Sequence, residues 1–204
     1  ARIKAAISGG GRRAAVLGGG TMGLEAADGL IRSGAEVTVI ERQARFLFQF
    51  GARVAAAARR SIEQRARILT RTTVESFETQ AGRITALRLS SGERIETDLV
   101  LSVIGLVPRT DLLQAAGAGL ANDGTMIVDE RAKTSLPNVY ACGVCVSAPQ
   151  VITGRPVWWA QGALADKTAQ VAGANAAGGS ARLSPALGSV LVRVLDTTVG
   201  RTGL

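Results

Sequence analysis

The chain contains no histidine, which excludes histidine-based acid–base chemistry and histidine metal ligation from these residues. Only two cysteines occur, Cys142 and Cys145, too few for the disulfide framework of a small secreted domain. Lysine occurs only at Lys4, Lys133 and Lys167, so the formal charge of +8 is carried mostly by arginine. The arginines are scattered: the densest runs are the pairs Arg12-Arg13 and Arg59-Arg60. Aromatics make up 3% of the chain, too few for base-stacking platforms. A basic balance of this kind reads as scattered surface charge, and no nucleic-acid partner is expected. No apolar run reaches the ~20 residues of a membrane-spanning helix, and Ala1-Arg2-Ile3-Lys4 lacks the apolar core of a signal peptide. The expectation is no membrane partner and a cytoplasmic compartment.

What is abundant is small and aliphatic. With 47% apolar and 20% charged residues, the chain can bury a core built on Ala, Val, Leu and Ile. Residues 1–11 end in Ser8-Gly9-Gly10-Gly11 and read as a flexible lead-in linker. Ala14-Ala15-Val16-Leu17 suits a buried parallel strand. Three glycines follow, then a helical stretch from Thr21 to Ser33 with Leu24, Ala27, Leu30 and Ile31 on one face, stopped by Gly34. Glu36 to Ile40 is a second strand, closed by Glu41. Residues 51–66 read as another helix. The runs Thr73–Phe77, Ile84–Leu89 and Arg94–Glu96 read as a meander, and Leu99–Ile104 as a buried strand. Asp111–Ala116 is a short helix. Met126–Val128 and Val139–Ala141 are short strands, Trp158–Ala177 is a long helix, and Ser189–Val194 begins a strand.

Strand, glycine turn, helix and strand within some thirty residues make a βαβ unit. Its turn carries Gly18-x-Gly20-x-x-Gly23. Alone this spacing is weak evidence, but here it follows a strand and opens a helix, the context it requires. Gly18 permits the tight turn, Gly20 lets the backbone approach a pyrophosphate, and Gly23 lets helix and strand pack closely. The helix N-terminus offers free N–H groups to the phosphates. Glu41 stands at the end of the next strand, about 20 residues on, where a carboxylate accepts hydrogen bonds from ribose hydroxyls. It would repel a 2′-phosphate and so favour NADH, although Arg42 and Arg45 follow it. A solvent-facing strand end is the plainer reading of Glu41.

The segment Ala14–Glu41, with Gly23-Leu24-Glu25-Ala26-Ala27, resembles the NAD domain of the pyridine nucleotide-disulfide oxidoreductases. Ile104-Gly105-Leu106-Val107-Pro108 resembles their second glycine motif, near the nicotinamide. Thr134–Gly143 resembles their second flavin motif. Ile152–Trp158, Ala165-Asp166-Lys167 and Leu195–Leu204 are similar to the CoA-disulfide reductase, NADH oxidase and persulfide reductase branch. The resemblance covers nearly the whole chain. It implies an α/β fold: an NAD(H)-binding Rossmann domain over residues 12–120, with a parallel sheet and an antiparallel meander. Residues 121–178 would be the returning part of a split FAD domain, and residues 179–204 the start of a truncated interface domain. It also implies a chemistry in which NADH gives hydride to FAD, and the flavin reduces a disulfide, a persulfide or oxygen. The candidate cofactor-binding set is Gly18, Gly20, Thr21, Met22, Gly23, Glu41, Gly105, Gly143, Val144 and Ala165. No catalytic residue and no metal site are assigned.

The sequence departs from the family in three ways. No N-terminal flavin fingerprint with its redox cysteine is found, the interface domain is expected to continue past Leu204, and Val144 stands where the family has an aspartate that binds the ribityl chain of FAD. The expected protein is therefore an incomplete FAD-linked NADH oxidoreductase. The alternatives are an inactive NAD(H)-binding fragment or a structural subunit, with a homodimer or a missing segment as partner and exposed apolar surface that promotes association. Cys142-Gly143-Val144-Cys145 could be a redox pair or half a metal site. The preferred reading is two small buried residues at a strand-to-helix turn. Trp158 and Trp159 read as packing, and Asp129-Glu130 as a solvated loop.

Overall fold

The structure, a computed structural model, describes residues 2–10 and 12–203. In chain order the elements are α1 (Arg2–Ser8), β1 (Arg13–Leu17), α2 (Thr21–Arg32), β2 (Glu36–Glu41), α3 (Ala52–Glu63), β3 (Ala66–Thr70), β4 (Val74–Gln80), β5 (Arg83–Leu89), β6 (Arg94–Glu96) and β7 (Leu99–Ser102). Then come α4 (Asp111–Ala115), β8 (Met126–Ile127), β9 (Val146–Pro149), β10 (Pro156–Val157), α5 (Gly162–Ala176), β11 (Val190–Val194) and β12 (Thr197–Arg201). The chain divides into two compact units, residues 1–105 with 191–201, and residues 106–190 with 202–204.

The first unit is built on a four-stranded sheet in the order β3-β2-β1-β7. All its pairings are parallel, with Val16 opposite Val39 on one side and Leu101 on the other. Ala14, Ala15 and Val16 are all buried, because both faces of β1 are covered. On one face the antiparallel meander β4-β5-β6 lays Leu87, Leu89 and Ile95 against Ala15, Ile40 and Val100. The opposite face packs on α2, which buries Gly23, Leu24, Ala27 and Leu30, one stripe at helical spacing. After β3 the chain passes through the meander and returns beside β1 as β7, so its connections leave β1 in opposite directions. That is a topological switch point, where parallel α/β sheets place their ligands outside the carboxyl ends of the strands. The pair β11–β12 folds against α3, and the Ser61 hydroxyl donates to the Val194 carbonyl at 3.5 Å.

In the second unit β9 is central, parallel to β8 and antiparallel to β10. Its core gathers Met126, Val128, Ala132, Val146, Ala148 and Ala172. From α5 a stripe of Leu164, Thr168, Ala172 and Asn175 is buried. The Asn175 amide donates to the carbonyls of Arg131 and Ala181 at 2.8 and 2.9 Å, tying two loops to the helix.

Several expectations need correction. The lead-in is helical as far as Ser8, since Arg2–Ser8 contains no helix breaker; Gly9 and Gly10 end it, Gly10 at φ +98°. Its Ala1 and Gly11 lie outside the described residues. The second helix stops at Glu63, and Ala66–Thr70 is a strand. Ala66 is a good helix former and no Gly or Pro marks the change, so local propensity misleads there. Val139–Ala141 makes only an isolated bridge, Tyr140 to Lys133, because the turn at Asn138 (φ +59°) curls it back so that Thr134 donates to Val139. The strand that does form, Val146–Pro149, has weak β propensity and lies hidden after the cysteines. Strand β7 ends at Ser102 rather than Ile104, and α5 begins four residues later than Trp158.

A carboxylate ties the start of β1 to the β6–β7 connection. Asp98 accepts from the backbone N–H of Arg12 and Arg13 at 3.1 and 2.9 Å, and from the Arg13 guanidinium at 2.8 Å. The Arg13 side-chain hydrogen bond is the main reason the Asp98 carboxyl titrates below its ordinary range; partial burial opposes it. A depressed carboxyl pKa stabilises the fold above the unfolded value, near pH ~4, and that contribution is lost as pH falls through the folded value. Urea unfolding at stepped pH should show stability falling below about pH 4, and Asp98→Asn should flatten the slope in that window. An identical slope in the variant would remove Asp98 from the acid response.

Candidate functional site: the glycine turn and its carboxylate

The turn after β1 is shaped by contacts that only glycine allows. Gly18 lies at φ +110°, and a Cβ there would sit 2.6 Å from the Val103 carbonyl oxygen. A Cβ on Gly23 would sit 1.9 Å from the Gly18 carbonyl oxygen. Gly20, by contrast, faces open space, with nothing within 4 Å of an added Cβ. It is the N-cap of α2 and brings no side-chain cap, and the first turn holds no acidic residue. Unpaired N–H groups and a helix dipole thus face outward at the carboxyl end of β1. Thr21 is half-buried and Met22 is 53% exposed at the same end. An anionic diphosphate fits this cradle: it needs open backbone and free donors, and both are present.

Glu41 is not the solvent-facing strand end of the plainer reading. It is 7% exposed, and its carboxylate is held by two backbone donors, Gly19 N–H to Oε2 and Gln43 N–H to Oε1, both at 2.7 Å. A buried carboxylate with one fixed donor per oxygen still has acceptor capacity on each. The sequence reading missed what sets this geometry. Leu47 N–H donates to the Gly19 carbonyl at 2.9 Å. A Cβ on Gly19 would meet the Phe46 ring at 2.3 Å, and Phe46 and Leu47 are both buried. The segment after β2 therefore grips the glycine turn from above. The available signal was Gly19, the middle glycine of the Gly18-Gly19-Gly20 run, which the spacing motif does not require. Arg42 and Arg45 are exposed.

Gly105 follows β7 at φ +134°, with Ile104 77% exposed beside it. In the second unit, Gly143 and Ala165 are joined by a residue the sequence reading did not name. The buried Thr168 hydroxyl accepts from Gly143 N–H at 3.0 Å and donates to the Ala165 carbonyl at 2.9 Å. Val144 is exposed and offers an isopropyl group where a polar contact is wanted. Val144 has no side-chain acceptor for a flavin's ribityl chain, and the side-chain oxygen that does reach this turn, the Thr168 hydroxyl, accepts from Gly143 N–H. Both thiols are free; Cys142 is exposed, so its reading as a buried packing residue is wrong, whereas Cys145 is half-buried and packs against the core of the second unit. The turn puts the Cys142 side chain on the surface. Among the described residues no cluster of potential metal ligands occurs, and no helix is long and apolar enough to cross a membrane.

A parallel sheet with a switch point, a glycine turn and a buried carboxylate at its mouth defines a dinucleotide-binding α/β protein. The family model described as pyridine nucleotide-disulphide oxidoreductase matches residues 2–184, and the chain belongs to that family. It is 32% identical over 190 residues to an NAD(P)H sulfur oxidoreductase (CoA-dependent) of Pyrococcus abyssi, covering 93% of this chain and 42% of the relative. Among solved structures, an NAD-dependent persulfide reductase from A. fulgidus superposes with a TM-score of 0.92 at 29% identity, over 100% of this chain and 38% of that one. An FAD-dependent pyridine nucleotide-disulphide oxidoreductase from Desulfovibrio vulgaris gives 0.90 at 31%, over 96% and 50%. The chain thus spans half or less of the length of these relatives.

The two glycines of α2 should respond oppositely to alanine. Gly23→Ala pushes a methyl into a backbone carbonyl and should cost roughly 1–3 kcal/mol in denaturant unfolding. Gly29, exposed in the same helix with nothing near an added Cβ, should gain about 0.5–1 kcal/mol on Gly29→Ala. Equal effects would mean that the Gly23–Gly18 approach does not constrain the turn.

Proposed function

We propose that this chain is the NADH-binding part of an FAD-linked NADH oxidoreductase, in which hydride passes from NADH to flavin and on to a disulfide, a persulfide or oxygen. The observation that carries this reading is the Glu41 carboxylate, pinned by Gly19 and Gln43 beside an uncapped helix N-terminus. In that place it accepts both adenosine ribose hydroxyls, while the N–H groups of α2 hold the pyrophosphate and Gly20 gives it room. The bound nicotinamide supplies the hydride; Gly105 and its neighbours lie toward it. A negative charge on Glu41 disfavours a 2′-phosphate, so NADH is preferred to NADPH. Residues 12–120 serve as the NAD(H) domain. Residues 121–178 serve as the returning part of the FAD domain, with Gly143, Val144 and Ala165 on its cofactor side, and residues 179–204 open an interface domain that pairs two copies. The compartment is the cytoplasm. A second reading, an NAD(H)-binding piece or structural subunit without turnover, is favoured by Val144.

Fluorescence titration with both nucleotides tests the carboxylate. Glu41→Ala should weaken NADH by tenfold or more, on the scale of about 1.5–3 kcal/mol for a charged hydrogen bond, and should raise the affinity for NADPH relative to NADH. An unchanged preference would remove Glu41 from nucleotide recognition, because general loosening of the fold would weaken both nucleotides alike. Supplying FAD and washing it away separates the two readings. Retained flavin absorption that NADH bleaches supports the oxidoreductase, whereas a colourless protein supports the binding piece.

A further inference from the structure

We propose that Cys142 and Cys145 form a dithiol–disulfide site, with Cys142 as the attacking thiol and Cys145 as the resolving one, open to low-molecular-weight organic disulfides. Four observations carry it. First, both thiols are free, and they differ in access: Cys142 is exposed and Cys145 half-buried. Second, the Cys145 thiol is turned back toward its partner, with its Sγ 3.4 Å from the Cys142 carbonyl oxygen. Third, the two residues between them are held from outside the turn. Gly143 N–H donates to the Thr168 hydroxyl at 3.0 Å, and the Trp158 indole N–H donates to the Val144 carbonyl at 2.8 Å. Fourth, Gly143 lies at φ +95°, the left-handed conformation that folds the chain back between the cysteines at no steric cost. The turn is therefore held in place before oxidation, with the Cys145 sulfur already against the Cys142 backbone.

The exchange runs through the thiolate. Cys142, deprotonated, attacks one sulfur of the small disulfide. The Cys142 mixed disulfide forms, the original S–S bond breaks, and one small thiolate leaves with the bonding pair and takes up a proton. Cys145, deprotonated in turn, attacks the Cys142 sulfur. The Cys142–Cys145 bond forms and the second small thiolate leaves and is protonated. Two protein thiols are oxidised and one small disulfide is reduced to two thiols. The first step falls to Cys142 because it is the accessible sulfur, and the second to Cys145 because its side chain already points back along the turn. This chemistry needs neither nucleotide nor flavin, and the test below is run on the chain without either, so its outcome does not turn on the function proposed above.

The test treats the 204-residue chain with excess oxidised glutathione, blocks remaining thiols with an alkylating reagent, and reads intact mass and the peptide map without reduction. The expected product has lost two hydrogens, takes up no alkyl group, and carries the disulfide within one peptide. Cys145→Ser should accumulate one glutathione on Cys142, and Cys142→Ser should react about tenfold more slowly, since its remaining thiol is half-buried. Two alkylated thiols, a stable mixed disulfide on the unaltered chain, or disulfide-linked dimers would each overturn the proposal. The unaltered chain alone decides the matter if a variant does not fold.

Discussion

Helix α2 can sit where it does only because Gly23 carries no side chain, and its backbone presses against the carbonyl of Gly18 at a distance that no Cβ could share. Much of the first unit follows from that approach. It brings the helix axis down onto β1 and β2, so that Leu24, Ala27 and Leu30 reach the sheet and are buried. Burying three such side chains is worth several kcal/mol, at about 1.5–3 kcal/mol for a large aliphatic one. It also aims the first turn of the helix outward at the carboxyl edge of the sheet. There the N–H groups have no side-chain cap among the described residues, and with the helix dipole they suit an anionic ligand.

Glu41 is the second fixed point. A carboxylate that is nearly buried must be compensated, because leaving it unpaired costs more than most folds can tolerate. Here the compensation comes from backbone rather than from an arginine: Gly19 and Gln43 each donate one hydrogen bond. Backbone donors hold the charge without neutralising it, and each oxygen keeps a free lone pair. Phe46 and Leu47 close over the same glycine, so the carboxylate and the glycine turn are tied together by the segment after β2. A site organised before its ligand arrives spends less binding energy on ordering itself.

The second unit follows a different logic. Its helix α5 has a thin apolar stripe, and polar groups supplement it: Thr168 reaches a turn and a carbonyl with one hydroxyl, and Asn175 spans two loops. The Thr168 hydroxyl holds the Cys142–Cys145 turn at Gly143 without burying it. Cys142 is therefore presented at the surface, while Cys145 stays half-buried. Conformational order and chemical access are separate properties, and residue type alone reports on neither.

Much of this was legible in the residues. The periods of Leu24, Ala27 and Leu30, the alternation through the meander, and the spacing of Gly18, Gly20, Gly23 and Glu41 are local signals, and they carried the α/β class, the βαβ unit and the family. What depended on contacts far apart in the chain was not legible. The edge strand Ala66–Thr70 starts at Ala66 because β2 offers it a partner there, not because alanine prefers a strand. The central strand Val146–Pro149 exists because two neighbours pair with it. Glu41 reads identically whether it faces water or the Gly19 amide, and Cys142 whether it is buried or exposed. Local propensity and pattern determined the elements and the class of protein. Tertiary structure decided pairing, burial and the partners of each polar group, because those depend on which distant backbone atoms come within hydrogen-bond reach.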